Sequence, residues 1–153
     1  YKTLIPCNLY GRHDKFDPAF SHLVPAIIYK IHKAMTDGEP EVEIWGDGNA
    51  RREFMYAGDL ADAVIRAVVE FDALPPCMNV GLGFDYSINE YYQAAAEVMG
   101  YSGKFVHNLD RPVGMARKLV SVDRMKAWGW AARHDLHQGI EKTCQYYLKE
   151  YRR

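Results

Sequence analysis

No apolar run in the 153-residue sequence approaches the ~20 residues a membrane-spanning helix needs, and no basic-then-apolar leader opens it. Cysteine is scarce: Cys7, Cys77 and Cys144 are odd in number and far apart. That pattern excludes a disulfide scaffold and a C-x-x-C zinc site, so no metal is expected and a reducing cytoplasm is the natural setting. Net charge is also lacking. Nineteen Lys and Arg against twenty Asp and Glu give −1, which leaves no basic field to hold nucleic acid or an anionic membrane. What remains is 48% hydrophobic and 25% charged, enough for one modest domain with a core. The first residue is Tyr1, not Met, which raises the expectation of a piece of something longer.

Hydrophobic periodicity divides the chain into alternating strands and helices. Lys2–Ile5 reads as a strand stopped by Pro6. Leu23, Ile27, Ile28 and Ile31 recur at helical spacing from about Ser21 to Met35, with Pro25 in the first turn. "EVEIW" and "REFMY" flank the turn signal "GDGN", a pattern that predicts a hairpin. Asp59 is expected to cap a helix whose buried face carries Leu60, Val64, Ala67 and Val68. "CMNV" reads as a strand, and "SINE" as a capping box opening a helix that Gly100 closes. "KFVH" is a brief strand, "DRPVG" a loop, "SVDRMKAWGW" a short helix, and Leu136–Tyr151 a final helix. The alternation predicts α/β architecture. Lys2–Ile5 and Cys77–Val80 read as strands buried on both faces, and a chain this short supplies too few companions for them. Part of a parallel sheet is expected to be missing.

Four segments, "PCNLYGRHDKFDPAFSHLVPA", "EIWGDGNARREFMYAGDLADA", "NVGLGFDYSINE" and "RPVGMARKLVSVDRMKAWGW", resemble the GDP-L-fucose synthase family of extended short-chain dehydrogenase/reductases. The resemblance implies that 1–153 is the C-terminal substrate-binding domain of a Rossmann-type enzyme, with the last strands of its main sheet. The glycine-rich phosphate loop, catalytic serine and Tyr-x-x-x-Lys pair would lie in an N-terminal half not present here; no G-x-x-G-x-x-G occurs. The complete enzyme would epimerise a GDP-linked 4-ketosugar at C3 and C5, then reduce C4 with NADPH. It would be a cytoplasmic homodimer, and the fragment alone inactive; the alternatives are an epimerase or reductase for a different nucleotide-linked ketosugar, or a stand-alone, non-catalytic nucleotide-sugar-binding domain.

The resemblance also assigns roles. His22 matches the family's acid that reprotonates the sugar carbon, a task suited to imidazole because its ordinary pKa lies near ~6.5. Pro6, Cys7, Asn8 and Leu9, with His22, match residues along the nicotinamide end of NADP(H). Asn8, Lys30, Trp45 and Arg52 match substrate-binding positions, where a guanidinium suits a diphosphate. Taken without the resemblance, His22 is a packing or capping histidine, Asn8 a turn residue, Lys30 a solvated lysine and Trp45 core. Arg51 competes with Arg52 for the phosphate role, and Arg117 and Lys118 remain phosphate candidates. Val113 stands where the family carries a substrate-contacting aspartate, which points to a different sugar hydroxyl pattern. Asp59 and Asp62 need no role beyond cap and solvated face.

Overall fold

The computed structural model describes residues 1–17 and 20–151; Pro18 and Ala19, inside the "HDKFDPAFSH" segment, and Arg152 and Arg153 lie outside them. The elements run β1 (Thr3–Pro6), β2 (Asn8–Tyr10), α1 (Leu23–Asp37), β3 (Glu41–Trp45), β4 (Arg51–Arg52), β5 (Phe54–Tyr56), α2 (Ala57–Val69), a 3₁₀ turn (Phe71–Ala73), β6 (Cys77–Val80), β7 (Tyr86–Ser87), α3 (Ile88–Met99), β8 (Lys104–Asn108), β9 (Arg117–Lys118), α4 (Asp123–Ala127) and α5 (Leu136–Tyr151). The expected α/β alternation is present.

The strand pairing is where the predicted hairpin fails. β3 pairs in parallel with β8, Val42 opposite Phe105, while β5 pairs in parallel with β2, Asn8 opposite Phe54. The "GDGN" turn does not fold the two strands onto each other. Gly46 and Gly48 both take positive φ and lead the chain away, and a Cβ at Gly48 would fall 1.9 Å from the Asn89 amide. β1 and β6 form a two-stranded parallel pair, Thr3 opposite Cys77 and Pro6 opposite Val80. β4 sits between antiparallel β7 and parallel β9.

Two cores result. The larger gathers Ile27, Ile28 and Ile31 of α1, Val42 and Ile44 of β3, Tyr91, Tyr92 and Ala95 of α3, and Ile140 and Tyr147 of α5. Its helices have well-made ends: Gly38 and Gly100 are left-handed C-caps, and Ser87 with Glu90 completes the predicted capping box. The smaller core holds Met55, Ala63, Ala67, Leu74, Met78, Val80, Val122, Met125 and Trp130.

Here α2 departs from the sequence reading. It starts at Ala57, and Asp59 lies inside its first turn rather than at its cap. The buried Asp59 carboxylate accepts the backbone N–H groups of Arg133 and His134 and contacts the His134 ring at 2.7 Å. The buried stripe is Ala63 and Ala67, whose small side chains let the helix lie close to Met55 and Met78. Val64 and Val68, expected inside, are exposed together with Ile65 and Val69.

Candidate functional site

The C-terminal ends of β1 and β6 carry Pro6 and Val80 side by side, and the chain turns from Pro6 through Cys7 into β2. Open α/β sheets bind ligands at that end of their strands. Cys7 is half-buried. Burial and then the nearby Glu53 charge push its thiol up to about 12, so it stays protonated and is not a nucleophile. Asn8 is held from two sides: its Nδ2 donates to the Glu53 carbonyl at 3.0 Å, and its Oδ1 accepts from Lys118 Nζ at 3.3 Å. Cys7, Leu9, Tyr10, Gly11, Arg12, His13, Asp14, His22 and Ala57 line an open cleft of about 390 Å³. His22 stands at the N-terminus of α1 in extended conformation, yet its side chain caps nothing. The capping role is thereby set aside, and the imidazole is exposed at the cleft.

On β4 and β9 four cations lie in register, Arg51 opposite Arg117 and Arg52 opposite Lys118. Successive strand residues face opposite ways, so the pairs occupy opposite faces. One face is neutralised. Asp85, with a side chain 2% exposed, receives Arg51 Nε and Arg117 Nε at 2.5 Å each, and Arg51 also reaches Glu90. Burial pushes the Asp85 carboxyl upward, but hydrogen bonds from Arg117 and Arg51 hold it below the usual carboxylate range. On the other face Arg52 donates to the Arg51 carbonyl and Lys118 to Asn8; neither forms an ion pair among the described residues. Of the two candidate arginines, Arg51 is thus taken up by ion pairs and Arg52 is not.

Trp45 ends β3 and is 53% exposed, which removes it from the core. Two cations lie against its ring, Lys30 at 5.3 Å and Arg111 at 5.0 Å from the centroid. Lys30 Nζ donates to the Glu43 carbonyl at 3.0 Å, and desolvation lowers its pKa. The loop after β8 runs along this edge: Arg111 meets Trp45, Val113 lies against Gly46, and Gly114 passes beside the Arg52 guanidinium.

A family profile described as NAD dependent epimerase/dehydratase family matches residues 1–81, just over half of the chain. The chain belongs to that family. Among its curated relatives, it is 55% identical over 150 residues to a GDP-L-colitose synthase of Yersinia pseudotuberculosis, covering 98% of this chain and 49% of that protein. It is 54% identical over 148 residues to a GDP-L-fucose synthase of Azorhizobium caulinodans, covering 97% and 47%. Among solved structures, a GDP-6-OMe-4-keto-L-xylo-heptose reductase from C. jejuni superposes with a TM-score of 0.85 at 29% identity, over 97% of this chain and 54% of that one. A GDP-mannoheptose C4 reductase from Campylobacter jejuni, solved with NADP bound, gives 0.81 at 29% identity, over 95% and 52%. The chain spans about half the length of the curated relatives it matches.

For this epimerase/dehydratase family member, the structure gathers the sequence-selected residues into two groups. Cys7, Leu9 and His22 line the cleft just beyond the strand end at Pro6, and Lys30 clusters with Trp45. Asn8 reaches the backbone beside Arg52 through the carbonyl of Glu53. A Tyr-x-x-x-Lys spacing does occur in the chain, at Tyr29 and Lys33, but mid-helix in α1, where Lys33 pairs with Asp37 and Tyr29 packs on the larger core. Glu53, Asp85 and Arg111 escaped sequence reasoning because their partners are distant along the chain. Among the described residues no cluster of His, Cys, Asp or Glu could hold a metal, and no helix is long and apolar enough to cross a membrane.

Proposed function

We propose that residues 1–153 are the substrate-binding portion of an NADP-dependent GDP-sugar epimerase/reductase, one that makes GDP-L-fucose or a related GDP-deoxysugar. The observation that carries this reading is the β4–β9 pair. Asp85 and Glu90 together neutralise Arg51 and Arg117, whereas Arg52 and Lys118 keep their charge on the face that meets Asn8. Two uncompensated cations on adjacent strands fit a diphosphate, and Trp45 with Lys30 and Arg111 offers an aromatic surface for the nucleotide. Similarity to GDP-sugar enzymes supports guanine as the base.

Pro6, Cys7, Asn8 and Leu9 suit the cofactor's reactive end: they stand at a parallel strand terminus, with a fixed amide and an uncharged thiol. When bound, NADPH supplies a hydride to C4 of the sugar. His22 holds the proton that returns to the sugar carbon during epimerisation at C3 and C5. The remaining cofactor contacts belong to a second portion of the protein, and the complete enzyme acts in the cytoplasm as a homodimer.

Val113 favours a second reading within the same class. Half-exposed against Gly46 beside Trp45, it presents methyl groups where a carboxylate would accept from a sugar hydroxyl, so the ketosugar differs from 4-keto-6-deoxymannose at that point.

The test is NADPH consumption by the complete protein with GDP-4-keto-6-deoxymannose and related GDP-ketosugars, alongside deuterium uptake from D₂O at C3 and C5. Turnover of a GDP-ketosugar is expected, with His22→Gln slowing deuterium uptake about 100-fold and leaving substrate affinity nearly unchanged. Absence of turnover with every GDP-ketosugar would overturn the reading. Collapse of affinity with uptake intact would make His22 a binding residue instead.

A further inference from the structure

One buried charge takes no part in the proposed chemistry. Glu53, 1% exposed, stands at the break between Arg52 of β4 and Phe54, the first residue of the fully buried β5. Its Oε1 accepts the backbone N–H groups of Leu82 at 2.6 Å and Gly83 at 2.8 Å, and its Oε2 accepts that of Val120 at 3.0 Å. Among the described residues no lysine, arginine or histidine pairs with it. Burying a carboxylate without a cation is costly, and only several well-aimed donors offset it. Three peptide N–H groups do so here, drawn from segments far from Glu53 in sequence.

The arrangement closes a ring through the candidate substrate site. The Glu53 carbonyl holds the Asn8 amide, and Asn8 in turn receives Lys118. Two residues beyond Lys118 the chain returns to Glu53 through the Val120 N–H. Space is reserved for the carboxylate as well, because a Cβ at Gly81 would fall 2.5 Å from its Oε1.

We propose that Glu53 is a positioning residue: by anchoring Val120, its carboxylate fixes where Lys118 stands against Asn8 at the diphosphate site. The proposal rests on the reading of that face as the GDP-sugar site. Chemistry selects Glu over Gln. A glutamine oxygen could still accept from Leu82 and Gly83, but its NH₂ would then confront the Val120 N–H, donor against donor. The hydrogen bond so broken is the one that leads to Lys118.

Calorimetric titration of the complete protein with GDP, and separately with NADP⁺, tests this in Glu53→Gln, Lys118→Ala and the double variant. Glu53→Gln is expected to weaken GDP binding about tenfold while NADP⁺ affinity stays within about twofold. In the Lys118→Ala background it should add less than about twofold, because both substitutions act on the same lysine–diphosphate interaction. Gly81→Ala, which displaces the carboxylate without removing it, should weaken GDP binding in the same direction, and it carries the same cycle if Glu53→Gln does not fold. Additive losses, or unchanged GDP affinity in a folded variant, would overturn the proposal alone. A parent that binds no GDP would overturn the reading of the site and this inference with it.

Discussion

The two cores of this chain differ in kind. The larger is closed: α1, α3 and α5 bury isoleucines and tyrosines against β3 and β8. The smaller is open. Parallel sheets are ordinarily covered on both faces, yet β1 pairs only with β6 among the described residues, and Ile5 is exposed. Beside it α2 presents Val64, Ile65, Val68 and Val69 to solvent, with Ile65 at 67% and Val68 at 72%. An apolar stripe at helical spacing marks a surface to be covered. The contrast separates a region that covers its own core from one whose apolar faces stay exposed.

Paired truncations probe the contrast most strongly. Ile28→Ala, in the closed core, should cost the 1–153 chain about 3 kcal/mol in urea unfolding, whereas Ile65→Ala should cost under about 0.5 kcal/mol. In the complete protein the second value should rise to about 1–3 kcal/mol, as the stripe is covered. Equal costs in the 1–153 chain would break the distinction.

A smaller effect follows from Asp85. Its carboxyl is held below its ordinary value of 3.8, so its contribution is present above that pH and lost as pH falls through the lowered value. The stability gap between the parent and Asp85→Asn should therefore be widest near neutrality and close at acid pH. A gap that did not change with pH would mean that the Arg51–Asp85–Arg117 cluster acts by shape rather than charge.

How much of this was legible in the sequence follows the same division. α3 and α5 could be read because caps and 3.6-residue periodicity are local, and both helices fall where expected. β2 and β9 could not, because strands of two or three residues are too short to carry a periodicity. Pairing was equally hidden: "EVEIW" alternates correctly, but nothing in it names β8 as its neighbour. The α2 face was misassigned because hydrophobicity favours Val over Ala, while close packing on Met78 favours Ala over Val. His22, Asn8, Lys30, Trp45 and Arg52 were selected as candidates through resemblance, not through spacing. Glu53, which holds Asn8, and Asp85, which holds Arg51 and Arg117, depend on partners brought together only by folding.

One face of the β4–β9 pair is neutralised, and the proposed function gives the other to a diphosphate. Calorimetric titration of GDP into Arg51→Ala and Arg52→Ala variants of the complete protein tests it most directly. Arg52→Ala is expected to weaken GDP binding at least about tenfold, while Arg51→Ala leaves it within about twofold of the parent. Equal losses in the two variants, or a larger loss in Arg51→Ala, would contradict it.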